Sequence, residues 1–112
     1  MTAEDVLYIA RKKLADTNPG QVRWTNFFLL KYLSESLFAT YKLRPDLFLS
    51  ADVLTPPTEV DALDDTIGLD DEYLHMLADH LCYLALMEDN SDSGNTEQAN
   101  TYKTMYMERI GI

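Results

Sequence analysis

The sequence predicts a mainly α protein: a four-helix bundle with a short irregular or β-hairpin insert between helices two and three. Three observations carry this. Apolar residues recur at three- and four-residue spacing in four separate windows. Each window is bounded by residues that start or stop helices. The chain has 112 residues, 46 % of them apolar, which is enough for a single domain over 1–112 with a core that needs no staples.

Thr2 and Asp5 have capping-box spacing, and Val6, Leu7, Ala10 and Leu14 then follow one helical face. Lys12 and Lys13 suit the negative end of that helix, and Asn18-Pro19-Gly20 is expected to stop it. Thr25 is the expected N-cap of a second helix of about eighteen residues. Its apolar set, Phe28, Leu29, Leu30, Tyr32, Leu33, Leu37, Phe38 and Tyr41, is broad enough to meet neighbours on more than one side. Pro45 ends it, since the residue before a proline is pushed out of the helical region.

From Pro45 to Leu69 the helical period disappears. Leu47, Leu49 and Val53 alternate weakly, Thr55-Pro56-Pro57-Thr58 reads as a turn, and a short hairpin is expected. Asp70 or Asp71 should cap the third helix, which runs to Glu88 with Tyr73, Leu74, Leu77, Ala78, Leu81, Leu84 and Ala85 in its stripe. Asn90–Gly94 is a polar break. The last helix should start at Asn95 or Thr96, bury Ala99, Tyr102, Met105, Tyr106 and Ile110, and close at Gly111.

Charge is distributed unevenly. Between Arg44 and Lys103 there are fourteen acids and no lysine or arginine, while the two ends hold all nine bases against five acids. The middle therefore does not grip a phosphate backbone, which lysine and arginine must neutralise. The layout also lets the basic ends of one molecule meet the acidic middle of the next. The single cysteine, Cys82, forms no internal disulfide. No apolar run resembles a signal peptide or reaches the ~18–20 residues of a membrane span, so a soluble cytosolic protein is expected.

No candidate for chemistry withstands inspection. Asp89–Gly94 resembles a calcium loop only at its glycine. Positions three and five are Ser91 and Ser93, and Asn100 stands where a bidentate glutamate is needed. His75 and His80 lie about 140° apart on a helix and do not face one ligand. His75 and Asp79 read as a surface pair, and Cys82 as a small buried apolar group. Asp61, Asp64, Asp65, Asp70, Asp71 and Glu72 read as a solvated loop with helix-capping acids, and no metal or cofactor is expected. Met105 is expected to face the core and Met107 an adaptable surface.

Two stretches together carry a resemblance. The first is Arg23-Trp24-Thr25, then Leu29-Leu30-Lys31-Tyr32-Leu33, then Leu43-Arg44-Pro45-Asp46. The second is Ile67-Gly68-Leu69-Asp70-Asp71-Glu72-Tyr73, then Leu77 through Leu86, then Asn95 through Met107. In order and spacing these resemble the head-to-tail adaptor, or head-completion, proteins of tailed bacteriophages. The resemblance implies a non-enzymatic virion protein, assembled in the host cytoplasm and placed at the neck between head and tail. It implies a self-assembled ring, a dodecamer, beneath the portal protein. That ring extends the channel through which DNA passes and docks a tail or stopper protein. The contacts it implies between subunits, portal and tail are placed at Arg23, Trp24, Arg44, Pro56, Pro57, Asp64, Asp65, Met107 and Arg109, with Trp24 also packing between helices. The charge layout alone allows a different reading, a small acidic module that mimics nucleic-acid charge and occupies the cleft of a basic protein.

Overall fold

The computed structural model describes residues 1–16, 20, 22–88 and 94–111. Helix α1 spans Ala3–Lys13. The predicted capping box is formed: the Asp5 amide donates to Thr2 Oγ1 at 3.4 Å, and the Thr2 amide donates to Asp5 Oδ2 at 2.9 Å. The helix stops earlier than expected. The Ala15 amide donates to the Lys12 carbonyl and the Asp16 amide to the Arg11 carbonyl, the two bonds of a Schellman termination. Ala15 takes φ +57° there, a position that favours glycine. The chain has therefore already turned before Asn18 and Pro19, which lie outside the described residues.

Helix α2 spans Asn26–Leu43 and is capped by Thr25, whose Oγ1 accepts from the Phe28 amide at 3.4 Å. Its inner face buries Leu29, Leu30, Tyr32, Leu33 and Leu37. Phe28 and Phe38, which the sequence reading counted with the apolar set, point outward at 47 % and 42 % exposure. The chain breaks at Arg44, as the following proline requires, and Pro45–Phe48 form a 3-10 turn that buries Phe48 edge-on to Tyr41.

A two-stranded antiparallel hairpin follows, β1 Leu49–Ser50 and β2 Val53–Leu54, with Leu49 opposite Leu54. Its turn lies at Ala51 and Asp52, both at positive φ, whereas the sequence reading had placed the turn at Thr55-Pro56-Pro57-Thr58. Two successive left-handed residues match the strand twist, even though neither is glycine or asparagine. Beyond the hairpin the chain runs back along the bundle, burying Val60, Ile67 and Leu69. It is stitched to the start of α1: the Ala3 and Glu4 amides donate to the carbonyls of Asp65 and Leu63, both at 2.9 Å, and Ile67 donates to Met1. Two amides that a helix N-terminus leaves unpaired are thus satisfied by the insert.

Helix α3 spans Leu74–Glu88 behind a 3-10 turn at Asp71–Tyr73. Neither Asp70 nor Asp71 supplies the expected side-chain cap. Asp70 makes no such bond, and the Asp71 carboxylate instead meets the Met1 amino group at 2.9 Å. Helix α3 packs against α1, α2 and α4, most extensively against α4, and is therefore apolar nearly all round. Helix α4 spans Gly94–Ile110, starting one residue before the expected position, and buries Ala99, Tyr106 and Ile110. Gly111, at φ +75°, closes it as predicted. The buried apolar side chains form one cluster, so the predicted class, four helices with a hairpin insert between the second and third, is the observed one.

Trp24 is 6 % exposed, and its indole Nε1 donates to the Ala85 carbonyl of α3 at 3.2 Å. Its backbone amide and that of Arg23 donate to the buried Asp16 carboxylate, which also holds Arg11 at 2.6 Å. Asp16 therefore folds the segment after α1 back onto the bundle and seats the indole. Trp24→Ala is expected to cost about 3–5 kcal/mol of stability, measured from urea denaturation midpoints, as emptied aromatic core sites do. Unchanged stability would show that the indole is not a packing element.

Candidate functional site

The nine residues singled out by resemblance do not form one site. Arg23 and Trp24 sit ahead of α2, with the guanidinium over the indole ring at 4.5 Å. The tryptophan is a core residue, and the arginine is the part of the pair that reaches the surface. Arg44 is committed within its own chain. It grips Asp46 with both Nε (2.9 Å) and Nη2 (2.7 Å), and Nη1 donates to the Ile110 carbonyl at 2.6 Å. This fork pulls the Asp46 carboxyl below its ordinary range and ties the end of α4 to the end of α2.

Pro56, Pro57, Asp64 and Asp65 all belong to the insert. Asp64 is exposed. Asp65 is half-buried, and its Oδ2 accepts from the amides of Asp61 and Ala62 at 2.9 and 3.1 Å, so it shapes its own turn. Met107 is exposed on α4, as expected, while Met105 is half-buried. Arg109 is exposed, yet its Nε reaches into the bundle.

The partner of Arg109 is Asp79, and here the structure overturns the expected surface pair with His75. His75 is exposed, whereas Asp79 has no exposed surface. One carboxylate oxygen meets Lys13 Nζ of α1 at 3.1 Å, and the other meets Arg109 Nε of α4 at 3.1 Å. Both are charge contacts at angles outside hydrogen-bond geometry. A buried carboxylate held this way is a clamp across three helices. The signal was present in the sequence: Asp79 is the one acid among Ala78, Leu81, Cys82 and Ala85 on an apolar face. Cys82 beside it is buried, donates to the Ala10 carbonyl at 3.6 Å, and has its thiol pushed up to about 12 by burial and by Asp79. It is protonated at neutral pH and inert.

About 100° around α3 from Asp79, His80 Nδ1 lies 2.8 Å from Ser36 Oγ, and its ring meets that of Tyr106 at 4.5 Å, tilted by 59°. Tyr106 shares a hydrogen bond of 2.9 Å with Thr40, whose hydroxyl also donates to the Ser36 carbonyl. This polar seam joins α2, α3 and α4. Burial, then Lys103, pulls His80 down to about 4. Ser36 and Thr40 each donate to a backbone carbonyl one turn earlier in α2, so both hydroxyls are engaged within the bundle. Among the described residues no three His, Cys, Asp or Glu side chains are grouped to hold a metal ion, and no helix is long and apolar enough to cross a membrane.

The surface carries further apolar side chains. Phe27 is 71 % exposed in the first turn of α2 and packs edge-on to Phe28 at 5.5 Å. Leu49, Val53 and Leu54 of the hairpin are likewise exposed. Sequence reasoning had counted Phe28 in the broad apolar set of α2 and had not singled out Phe27. Its signal was an aromatic pair directly after an N-cap, one residue too many for a single buried face. Among known proteins, no family model, curated protein or solved structure matches this chain.

Two outcomes are expected from this geometry. Replacing both Lys13 and Arg109 with Met should leave Asp79 buried and unpaired and cost about 3 kcal/mol. Adding Asp79→Leu to that variant should restore most of the loss, as read from urea midpoints. Separately, His80 is held neutral below its ordinary 6.5. Its contribution is complete above that pH, declines as pH falls to about 4, and is flat below. The loss is on the order of 3 kcal/mol across the window. The difference in stability between wild type and His80→Gln should shrink over that range. A pH-independent difference would show that His80 titrates normally.

Proposed function

We propose that this protein is a structural, ring-forming adaptor of a tailed bacteriophage, seated between the portal protein and a tail or stopper protein. The observation that carries the reading is that the core is closed, yet two separate apolar surfaces remain uncovered: the outer face of α2 and the hairpin. Two different patches on one small chain suit a head-to-tail contact, which closes into a ring when the rotation permits. The acidic middle suits the wall of a channel along which DNA slides without adhering. The resemblance across the Arg23–Asp46 and Ile67–Met107 segments points the same way. The buried polar groups have structural partners within the bundle, which fits a scaffold rather than a catalyst.

The surplus of acids also supports a second reading, a charge-mimicking module that fills a basic cleft. Native mass of the purified chain, alone and mixed with the portal protein encoded beside it, separates the two. A complex with one copy per portal subunit is expected. A chain that stays monomeric and ignores the portal would overturn the adaptor reading and favour the mimic.

A further inference from the structure

Helix α2 has two lives. Along its outer side Phe28, Lys31, Glu35, Phe38 and Lys42 follow one another at three- and four-residue steps and are all exposed, with Phe27 beside them. A bundle helix needs only one apolar stripe, and this second one, carrying two lysines against one glutamate, meets nothing within the chain's own core. Beside the hairpin lies a groove of about 660 Å³, walled by Phe48, Leu49, Pro56 and Pro57. The ionisable residues that line it are Glu59, Asp65 and Asp70, acids without a single base.

We infer that the outer face of α2, led by the Phe27–Phe28 pair and Lys31, docks into the acidic groove beside the hairpin of a second copy of this chain. The inference rests on the ring reading above and names the two faces of its subunit contact. Three features select a second copy as occupant. The groove offers the side chains of Leu49, Pro56 and Pro57 to aromatic rings, and the α2 face offers an edge-to-face aromatic pair. The charges are opposite, with Lys31 and Lys42 on one face and the acids on the other, which favours register as well as encounter. Finally, the contact cannot form within one copy. Leu37, part of the groove lining, is nine residues from Phe28, about 180° around the same helix. Measured from Leu37, the side chains of the knob spread from about 80° (Phe27) to about 180° (Phe28) around the helix, so the knob points away from the groove on a rigid element, as a head-to-tail contact needs. Small anions and acidic peptides are disfavoured in this groove by the same acids.

Sedimentation velocity of three proteins tests this: wild type, Phe27→Asp on the knob, and Leu49→Arg on the groove. Both altered side chains are more than half exposed, so the fold should survive, and circular dichroism melting checks that it does. Wild type is expected to associate with rising concentration, and each variant alone to remain monomeric. Because each variant keeps one intact half, an equimolar mixture should form a 1:1 dimer that grows no further. Lys31→Glu should weaken association about ten-fold at low salt and less at high salt. Assembly of both variants like wild type, or recovery of both by the portal ring as full complements, would overturn this contact and leave the adaptor reading standing. A wild type that neither self-associates nor binds the portal would overturn both.

Discussion

A carboxylate with no exposed surface must be matched by cations, and Asp79 draws them from two of the three helices around α3. Lys13 reaches in from the last turn of α1 and Arg109 from the last turn of α4. Each can meet Asp79 only if its helix has the right length and the right rotation, so one buried charge fixes the register of three helices. The surrounding bonds depend on that register. Tyr102 of α4 donates to the Lys13 carbonyl at 3.0 Å, and Cys82 donates to Ala10 one turn earlier. Arg44 anchors the same end of α4 through the Ile110 carbonyl. An apolar residue in place of Asp79 would pack as tightly but would leave α1 and α4 freer to slide, which is the specificity argument for keeping the ions.

With α3 enclosed, the insert has little freedom either. Its return limb is held by the first amides of α1, by the Asp65 turn, and by the Val60 amide donating to Ser34 at 2.8 Å inside α2. The acid-rich segment is therefore a shaped surface rather than a solvated tether. Its local charge is tolerated because most of its carboxylates face water and the few engaged ones have a backbone amide or an amino group as partner.

The helices were legible because their signals are local. Thr2–Asp5, Thr25 and Gly111 act within four residues of themselves, and the three-four spacing reports directly on the buried face. The signals that failed were those decided by distant partners. Ala15 and the Ala51-Asp52 turn adopt positive φ with residues that do not announce it, because surrounding contacts override local preference. Asp70 is released from capping because α3 begins with a 3-10 turn. Asp79 was placed at the surface because spacing relates it to His75, while its true partners lie 66 residues before it and 30 after. Of the candidate contacts, Trp24 was rightly assigned to packing. Arg44 and Arg109 are engaged within the chain, which no local pattern could indicate.

The same division explains why the surface carries the functional reading. Ionic and polar groups that enter the interior are consumed there: Asp79 by two helices, Asp16 by Arg11 and two amides, His80 by Ser36. In the bundle these groups hold helices and loops in register. Its remaining resources are shape, apolar patches and a charge gradient from basic ends to acidic middle. With the interior fixed in this way, the outer face of α2 and the hairpin keep apolar side chains open to solvent.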